Sequence, residues 1–101
     1  MTTPGEVLDE IGHDLAGEHP DVERGRIFRS TGFKVRGKYF AFANADGIVL
    51  KLPEGRVRAL LDAGGGTEFT SGPRVMREWV RVPAGPGLPD LVAEAHAFLA
   101  G

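Results

Sequence analysis

The segment from Phe33 to Pro53, FKVRGKYFAFANADGIVLKLP, constrains the fold more than any other part of this chain. Apolar and polar side chains alternate along it in short runs, which Gly37-Lys38 and Asp46-Gly47 interrupt. Alternation with a period of two predicts β-strands, and an Asp-Gly pair between such runs is a strong signal of a hairpin turn. We therefore expect three short antiparallel strands joined by two tight turns.

The strands on either side of the Asp46-Gly47 turn carry the predicted core, and two further strands precede them. Arg24–Ser30 and Phe33–Arg36 are expected as the first two strands, separated at Thr31-Gly32 by a turn or bulge. Because side chains alternate between the two faces of a strand, the third strand should place Phe40 and Phe42 together on the buried face. The expected core of this region consists of Phe40, Phe42, Ile48 and Leu50.

Three amphipathic segments predict helices. Thr3-Pro4-Gly5-Glu6 has the form of a capping box, so the first helix should begin there and end near Gly17. Pro53 suits the start of a short second helix that Gly64 ends, and the third helix should span Pro89–Ala100. Each segment has a single apolar stripe, which indicates that one side of each helix packs against the sheet.

Two further strands, Glu68–Thr70 and Val75–Val82, are expected between the second and third helices. The predicted order is α-β-β-β-β-α-β-β-α, an α+β fold with an antiparallel sheet and three helices. The helices should cover one face of the sheet and leave the other to solvent or a partner. Trp79, between Arg77 and Arg81, is expected to pack under a helix, with stacking on a base as the alternative.

The composition is that of one folded domain spanning residues 1–101. Its 42% of hydrophobic and 26% of charged residues exclude the disordered class. The absence of cysteine excludes a disulfide framework and thiolate metal ligands. No apolar run approaches the roughly 20 residues that cross a bilayer, and the amino terminus is acidic, so we expect a cytoplasmic protein without membrane contact.

Charge is strongly segregated along the chain, although the net charge is only −2. Residues 1–23 contain seven acids and no Lys or Arg, whereas residues 24–38 contain six bases and no acid. Clustered bases either bind phosphates or are neutralised by an acidic helix beside them. With regular strands, the first two bases would share one face and the last three a face of the next strand. The candidate nucleic-acid-binding residues are Arg24, Arg26, Arg29, Lys34, Arg36 and Lys38.

No set of residues has the spacing of a catalytic or metal site. His13 and His19 lie on or beyond the end of the first helix and His96 lies on the third, without an HxxxH or HxxE pair. The hydroxyl residues near glycines have no neighbouring base to activate them. We therefore expect no metal, no cofactor and no enzymatic activity, unless the fold brings His13, His19 and an acid together in a cleft.

Several pieces of the chain follow one another in a known order. They are Gly32–Ala41, the Asp46-Gly47 turn, Leu50–Pro53, a short helix and Glu78–Pro83. Over roughly residues 20–100 the chain resembles the TfoX amino-terminal and MmcQ/YjbR-like families. The resemblance implies a double-wing α+β fold, for which DNA binding is expected by analogy of fold alone, and it implies no catalytic residues.

Two functions remain as hypotheses. The first is a non-enzymatic binding domain that contacts nucleic acid through the basic strand face. The alternative is a protein-interaction or small-ligand module, a homodimer, that uses the exposed sheet face or the glycine-rich loop around Thr67–Ser71. The isoelectric point near 5.9 favours the alternative, because dedicated DNA-binding domains are usually basic overall.

Overall fold

A computed structural model describes residues 3–27, 30–44 and 47–100 of the chain. Within these residues the fold is α+β, with three helices and a six-stranded antiparallel sheet. The helices are α1 (Pro4–Glu18), α2 (Glu54–Asp62) and α3 (Leu88–Ala100). The strands are β1 (Val22–Ile27), β2 (Ser30–Val35), β3 (Lys38–Asn44), β4 (Gly47–Lys51), β5 (Thr67–Ser71) and β6 (Arg74–Val82). The predicted element order and fold class are confirmed.

The strands follow one another across the sheet in the order β1-β2-β3-β4-β6-β5. The first four form a meander, and the chain then passes through α2 before β5 and β6 add to the far side. Every neighbouring pair is antiparallel. None of the described helices combines the length and the apolar composition that a membrane span requires.

All three helices pack against the same face of the sheet, which we call the helix face. Leu8 and Leu15 of α1, Val57 of α2 and Val92 of α3 belong to one buried cluster with strand side chains. The strand side chains in this cluster are Val22, Phe33, Val35, Phe40, Ala41, Ala43, Ile48, Leu50, Val80 and Val82. Burial of this apolar surface is the main stabilising term of the fold.

Local signals placed two of the helix ends correctly. The Thr3 hydroxyl accepts a hydrogen bond from the Glu6 amide at 3.2 Å, which caps the first turn of α1. Gly64 follows the end of α2 with a φ of 75°, a left-handed conformation that glycine adopts without strain. The predicted cap by Thr3 and the predicted stop of the second helix are therefore confirmed at these positions.

The turns predicted at Thr31-Gly32 and at Gly37-Lys38 are not found at those positions. Thr31-Gly32 is inside β2, where the two residues pair with Arg26 and Gly25, so the turn or bulge predicted there is wrong. The next turn is formed by Arg36 and Gly37, with φ values of 53° and 78°, rather than by Gly37-Lys38. Two positive φ values match a two-residue hairpin whose twist suits the flanking strands.

A bulge in β3 overturns the prediction that Phe40 and Phe42 share a face. Phe33 pairs with Ala41 whereas Lys34 pairs with Tyr39, so β3 holds one extra residue at this point. Phe40 joins Ala41 in the helix-face cluster, and Phe42 lies on the opposite face. Phe42 is buried, but by neighbours on that other face.

Candidate functional site

The face of the sheet opposite the helices, which we call the open face, carries an alternating set of aromatic and cationic side chains. Its residues are fixed by the strand registers, in which Phe42 pairs with Val49, Val49 with Arg81, and Lys51 with Trp79. The apolar stripes of the described helices pack on the other face. On this face lie Lys34, Tyr39, Phe42, Val49, Lys51, Phe69, Trp79 and Arg81, together with the acidic Glu23, which pairs with Lys34.

Three rings on the open face form what we call the aromatic cluster: Phe42, Phe69 and Trp79. The ring centroids of Phe42 lie 5.6 Å from those of Phe69 and of Trp79, and the other two centroids are 6.4 Å apart. The interplanar angles of 50° to 76° are those of tilted and edge-on contacts. The prediction that Trp79 packs under a helix is wrong, because its strand partner is Lys51 on the open face.

The aromatic cluster covers the centre of the open face and is itself only partly covered. Val49 and Phe42 are 0% and 3% exposed, although no described helix lies over them. Phe69 and Trp79 are half-buried, so part of each ring meets solvent. A partly exposed indole on a strand is the kind of platform on which a planar ligand stacks.

Two lysines lie beside aromatic rings of this face and are held only weakly by acids. The Lys51 ammonium is 5.2 Å from the centre of the Trp79 ring, and the Lys34 ammonium is 5.8 Å from that of Tyr39. Their carboxylate contacts, with Glu78 and Glu23 respectively, are both 3.8 Å long, which exceeds hydrogen-bond distance. Such partly exposed pairs are weak, so an incoming anion can compete with them.

Arg81 brings a third cation to the same face. Its Nε atom is buried, and no hydrogen-bond acceptor is found for it among the described residues. A buried donor without a partner costs free energy, more so when the group is charged. The guanidinium is also the side chain best suited to planar, bidentate contacts with oxyanions.

Of the six basic residues predicted to bind nucleic acid, the five that the structure describes do not form one surface. Arg24 lies on the helix face and contacts Asp9 of α1 at 2.6 Å, so part of the block is neutralised by the acidic helix. Arg26 is two residues further along β1, so it lies on the same face as Arg24, and it is exposed. Lys34 lies on the open face. Arg29 lies outside the described residues.

The other two bases of the predicted block are placed by the shifted turn. Arg36 is in the turn itself, and Lys38 pairs with Val35, whose side chain lies in the helix-face core. The side chains of Lys34 and Lys38 therefore leave the backbone on opposite faces of the sheet. The prediction that Lys34, Arg36 and Lys38 share a face is wrong. Whether any of these residues binds nucleic acid stays a prediction.

The fold also brings together histidines that are far apart in the sequence. His19, Asp21 and His96 meet where the end of α1 approaches α3, whereas His13 lines a surface cleft with Arg24 instead. The short spacing between His19 and Asp21 was the one feature of the sequence that could have predicted their proximity. Nothing in the sequence predicted the contact with His96, which is 75 residues from Asp21.

Comparison of this chain with protein-family models, with curated proteins and with solved structures finds no significant match. The resemblance to the TfoX amino-terminal and MmcQ/YjbR-like families therefore stays a prediction.

Proposed function

We propose that this protein is a non-enzymatic binding domain that takes single-stranded nucleic acid on the open face of its sheet. The observation that carries the proposal is the partly exposed Trp79 side chain with cations on its own and the neighbouring strands. Aromatic rings that stack bases, combined with cations that hold phosphates, are the general means by which proteins bind single strands.

Stacking on Trp79 supplies the part of the affinity that does not depend on salt. The Lys51 ammonium lies over the indole ring, and a base that occupied this ring would shift the ammonium toward the adjacent phosphate. Stacking of one base on an aromatic side chain contributes about 1–3 kcal/mol. Replacing Trp79 by Ala should therefore weaken binding by about 5- to 150-fold, since 1.4 kcal/mol corresponds to a factor of ten.

Phosphate contacts by Lys34, Lys51 and Arg81 supply the part that depends on salt. Release of counterions from a single strand gives a slope of about −0.7 per phosphate in a plot of log K against log salt. Three contacts correspond to a slope of about −2. Two of these cations have only long ion pairs to break, which keeps the cost of recruiting them small.

A single strand suits this surface better than a duplex does. A duplex hides the faces of its bases in the stack, whereas a single strand can place them on exposed rings. The described basic residues that could contact the phosphates of a duplex lie on both faces of the sheet and in a turn, rather than on one surface. The acidic net charge of −2 also disfavours a large electrostatic footprint on duplex DNA.

The test is a fluorescence-anisotropy titration of a labelled 12-nucleotide single strand and of its duplex, at several salt concentrations. We expect saturable binding of the single strand at low salt and weaker binding of the duplex. Lys34→Gln and Lys51→Gln should each lower the affinity and reduce the salt slope by about 0.7. Arg26→Gln is the matched control, because Arg26 is an exposed cation that lies, like Arg24, on the helix face of β1.

Two results would refute the proposal. One is the absence of saturable binding of either DNA at low salt. The other is an equal loss of affinity in Arg26→Gln and Lys51→Gln, which would show that binding follows net charge rather than this face.

The competing occupant of the open face is another protein surface, including a second copy of this chain. Aromatic residues are common in such interfaces as well, and Val75 at the start of β6 adds an exposed apolar side chain, 46% accessible. Light scattering at micromolar concentrations distinguishes the two. Our proposal expects a monomer, and a dimer that Trp79→Ala dissociates would assign the face to self-association.

A further inference from the structure

We propose that His19, Asp21 and His96 form a binding site for a divalent transition-metal ion, with Zn²⁺ as the best match. Each of the three side chains offers one ligand atom, and these atoms all lie within 4.8 Å of one another. This site is independent of the open face and of nucleic-acid binding.

The backbone holds the three residues in place before any ion arrives. His19 is the C-cap residue that follows α1, and its amide donates a hydrogen bond to the Leu15 carbonyl at 2.8 Å. Its carbonyl in turn accepts from the Val22 amide at 3.1 Å, which fixes the short link that contains Asp21. His96 comes from the last turns of α3, so two helices and a tight connection converge on the site.

The buried member of the set is His96, which is 5% exposed. Its ring contacts Phe40 edge-on, with centroids 5.5 Å apart, and lies 4.5 Å from the ring of His19. Its Nε2 atom is 3.0 Å from Oδ1 of Asp21. His19 and Asp21 are exposed, so a hydrated ion can reach the site from solvent while His96 provides a ring held by packing.

The distances between ligand atoms are close to those of a bound ion. Metal–ligand bonds of about 2.0–2.1 Å in a tetrahedron place the ligand atoms about 3.3 Å apart. The contact of 3.0 Å between His96 and Asp21 is already near this value, and the remaining separations, up to 4.8 Å, close with small rotations of exposed side chains.

The donor set determines which ions fit. Two imidazoles and one carboxylate suit Zn²⁺ and its transition-metal neighbours, whereas Ca²⁺ and Mg²⁺ prefer oxygen ligands. Three protein ligands also leave a fourth position for water or another ligand. A neutral imidazole that ligates through Nε2 carries its ring proton on Nδ1, so the hydrogen bond between His96 and Asp21 is replaced by one bond from each residue to the shared cation.

If the cluster had only a structural role, His19 would not be needed. The hydrogen bond between His96 and Asp21 ties α3 to the start of β1 without any contribution from His19. Replacement of His19 therefore removes a metal ligand and leaves that hydrogen bond in place. His13 offers a matched control, because it is an exposed histidine on α1 outside the cluster.

The experiment is a calorimetric titration of the untagged chain with zinc chloride after treatment with a chelator. We expect one Zn²⁺ per chain for the wild type and for His13→Ala, with dissociation constants within twofold of each other. His19→Ala and Asp21→Asn should each weaken binding by tenfold or more. Circular dichroism checks that every variant is folded, and His19→Ala should keep the wild-type spectrum because its side chain is exposed.

Cobalt provides a second readout that does not depend on affinity. Co²⁺ in a tetrahedral site gives intense visible absorption bands, which we expect for the wild type and for His13→Ala but not for His19→Ala. The proposal is overturned if the wild type binds no stoichiometric Zn²⁺. It is equally overturned if His13→Ala loses as much affinity as His19→Ala, which would indicate adventitious binding by surface histidines.

Discussion

Phe40 and Phe42 are two residues apart on one strand, yet their rings lie on opposite faces of the sheet. The bulge in β3 causes this, because it places Phe40 beside Ala41 in the helix-face core and turns Phe42 toward Trp79. Two buried phenylalanines of similar appearance in the sequence therefore support different parts of the protein: one the core, the other the candidate site.

Substituting these two rings by Leu separates their roles. Both are buried, so Phe40→Leu and Phe42→Leu should each destabilise the protein by about 1–3 kcal/mol in urea unfolding. Only Phe42→Leu should change the fluorescence of the folded state, because Trp79 is the single tryptophan and lies 5.6 Å from the Phe42 ring. An equal spectral change in folded Phe40→Leu would contradict the assignment of faces.

Gly12 of α1 is expected to be intolerant of a side chain. A Cβ atom at this position would overlap the ring of Phe33, so the helix can approach the sheet only with glycine here. Ala normally stabilises a helix by about 1 kcal/mol relative to Gly, but Gly12→Ala should instead destabilise by about 1–3 kcal/mol because of overpacking. Thermal unfolding measures the difference.

Gly17 is the matched control in the same helix. A Cβ atom added there meets nothing within 4 Å. Gly17→Ala should therefore raise the stability by about 0.5–1 kcal/mol. If both substitutions raise the melting temperature, the close packing of α1 against β2 is wrong.

Several of these features were predictable from the sequence, and the reason is that they are local. The Thr3 cap, the Gly64 stop and the order of elements each depend on residues within a few positions of one another. The bulge at Phe40 was not predictable in this way, since it is defined by a register with β2. A one-residue error of this kind moves a side chain to the other face.

The candidate sites were harder to predict than the fold for the same reason. Alternation along a strand places Trp79 and Arg81 on one face, but which face this is depends on the pairing of β6 with β4. The basic residues between Arg24 and Lys38 were predicted to form a binding surface because they are close in sequence. Strand alternation and the Arg36-Gly37 turn place the described ones on both faces of the sheet and in the turn. His96 meets Asp21 only through the packing of α3.

The Arg36-Gly37 turn offers a stabilising substitution. Arg36 has a φ of 53°, a left-handed conformation that costs most L-residues about 1–2 kcal/mol and that Asn adopts more readily. Arg36→Asn should therefore raise the unfolding free energy by about 1 kcal/mol. Lys38→Asn, in the extended strand that follows, should give no gain. Equal effects of the two substitutions in urea unfolding would contradict the turn assignment.

The Arg24–Asp9 ion pair should matter little for stability and not at all for binding. Both side chains are about half exposed, at 60% and 45%, so solvent screens the pair and Arg24→Gln should cost about 0.2–1 kcal/mol. Because Arg24 lies on the helix face, Arg24→Gln should leave the affinity for a single strand within twofold of the wild type. A tenfold loss of affinity in an anisotropy titration would indicate instead that the basic residues between Arg24 and Lys38 form the binding site.

The measurement that tests the central claim most directly is the fluorescence of Trp79 during titration with an unlabelled single-stranded oligonucleotide. The chain has one tryptophan, and it lies on the open face, so its emission reports on the surroundings of this residue. We expect saturable quenching that weakens as salt is raised and that is reduced in Lys51→Gln. Saturable binding by anisotropy with unchanged Trp79 emission would contradict the claim that the open face holds the strand.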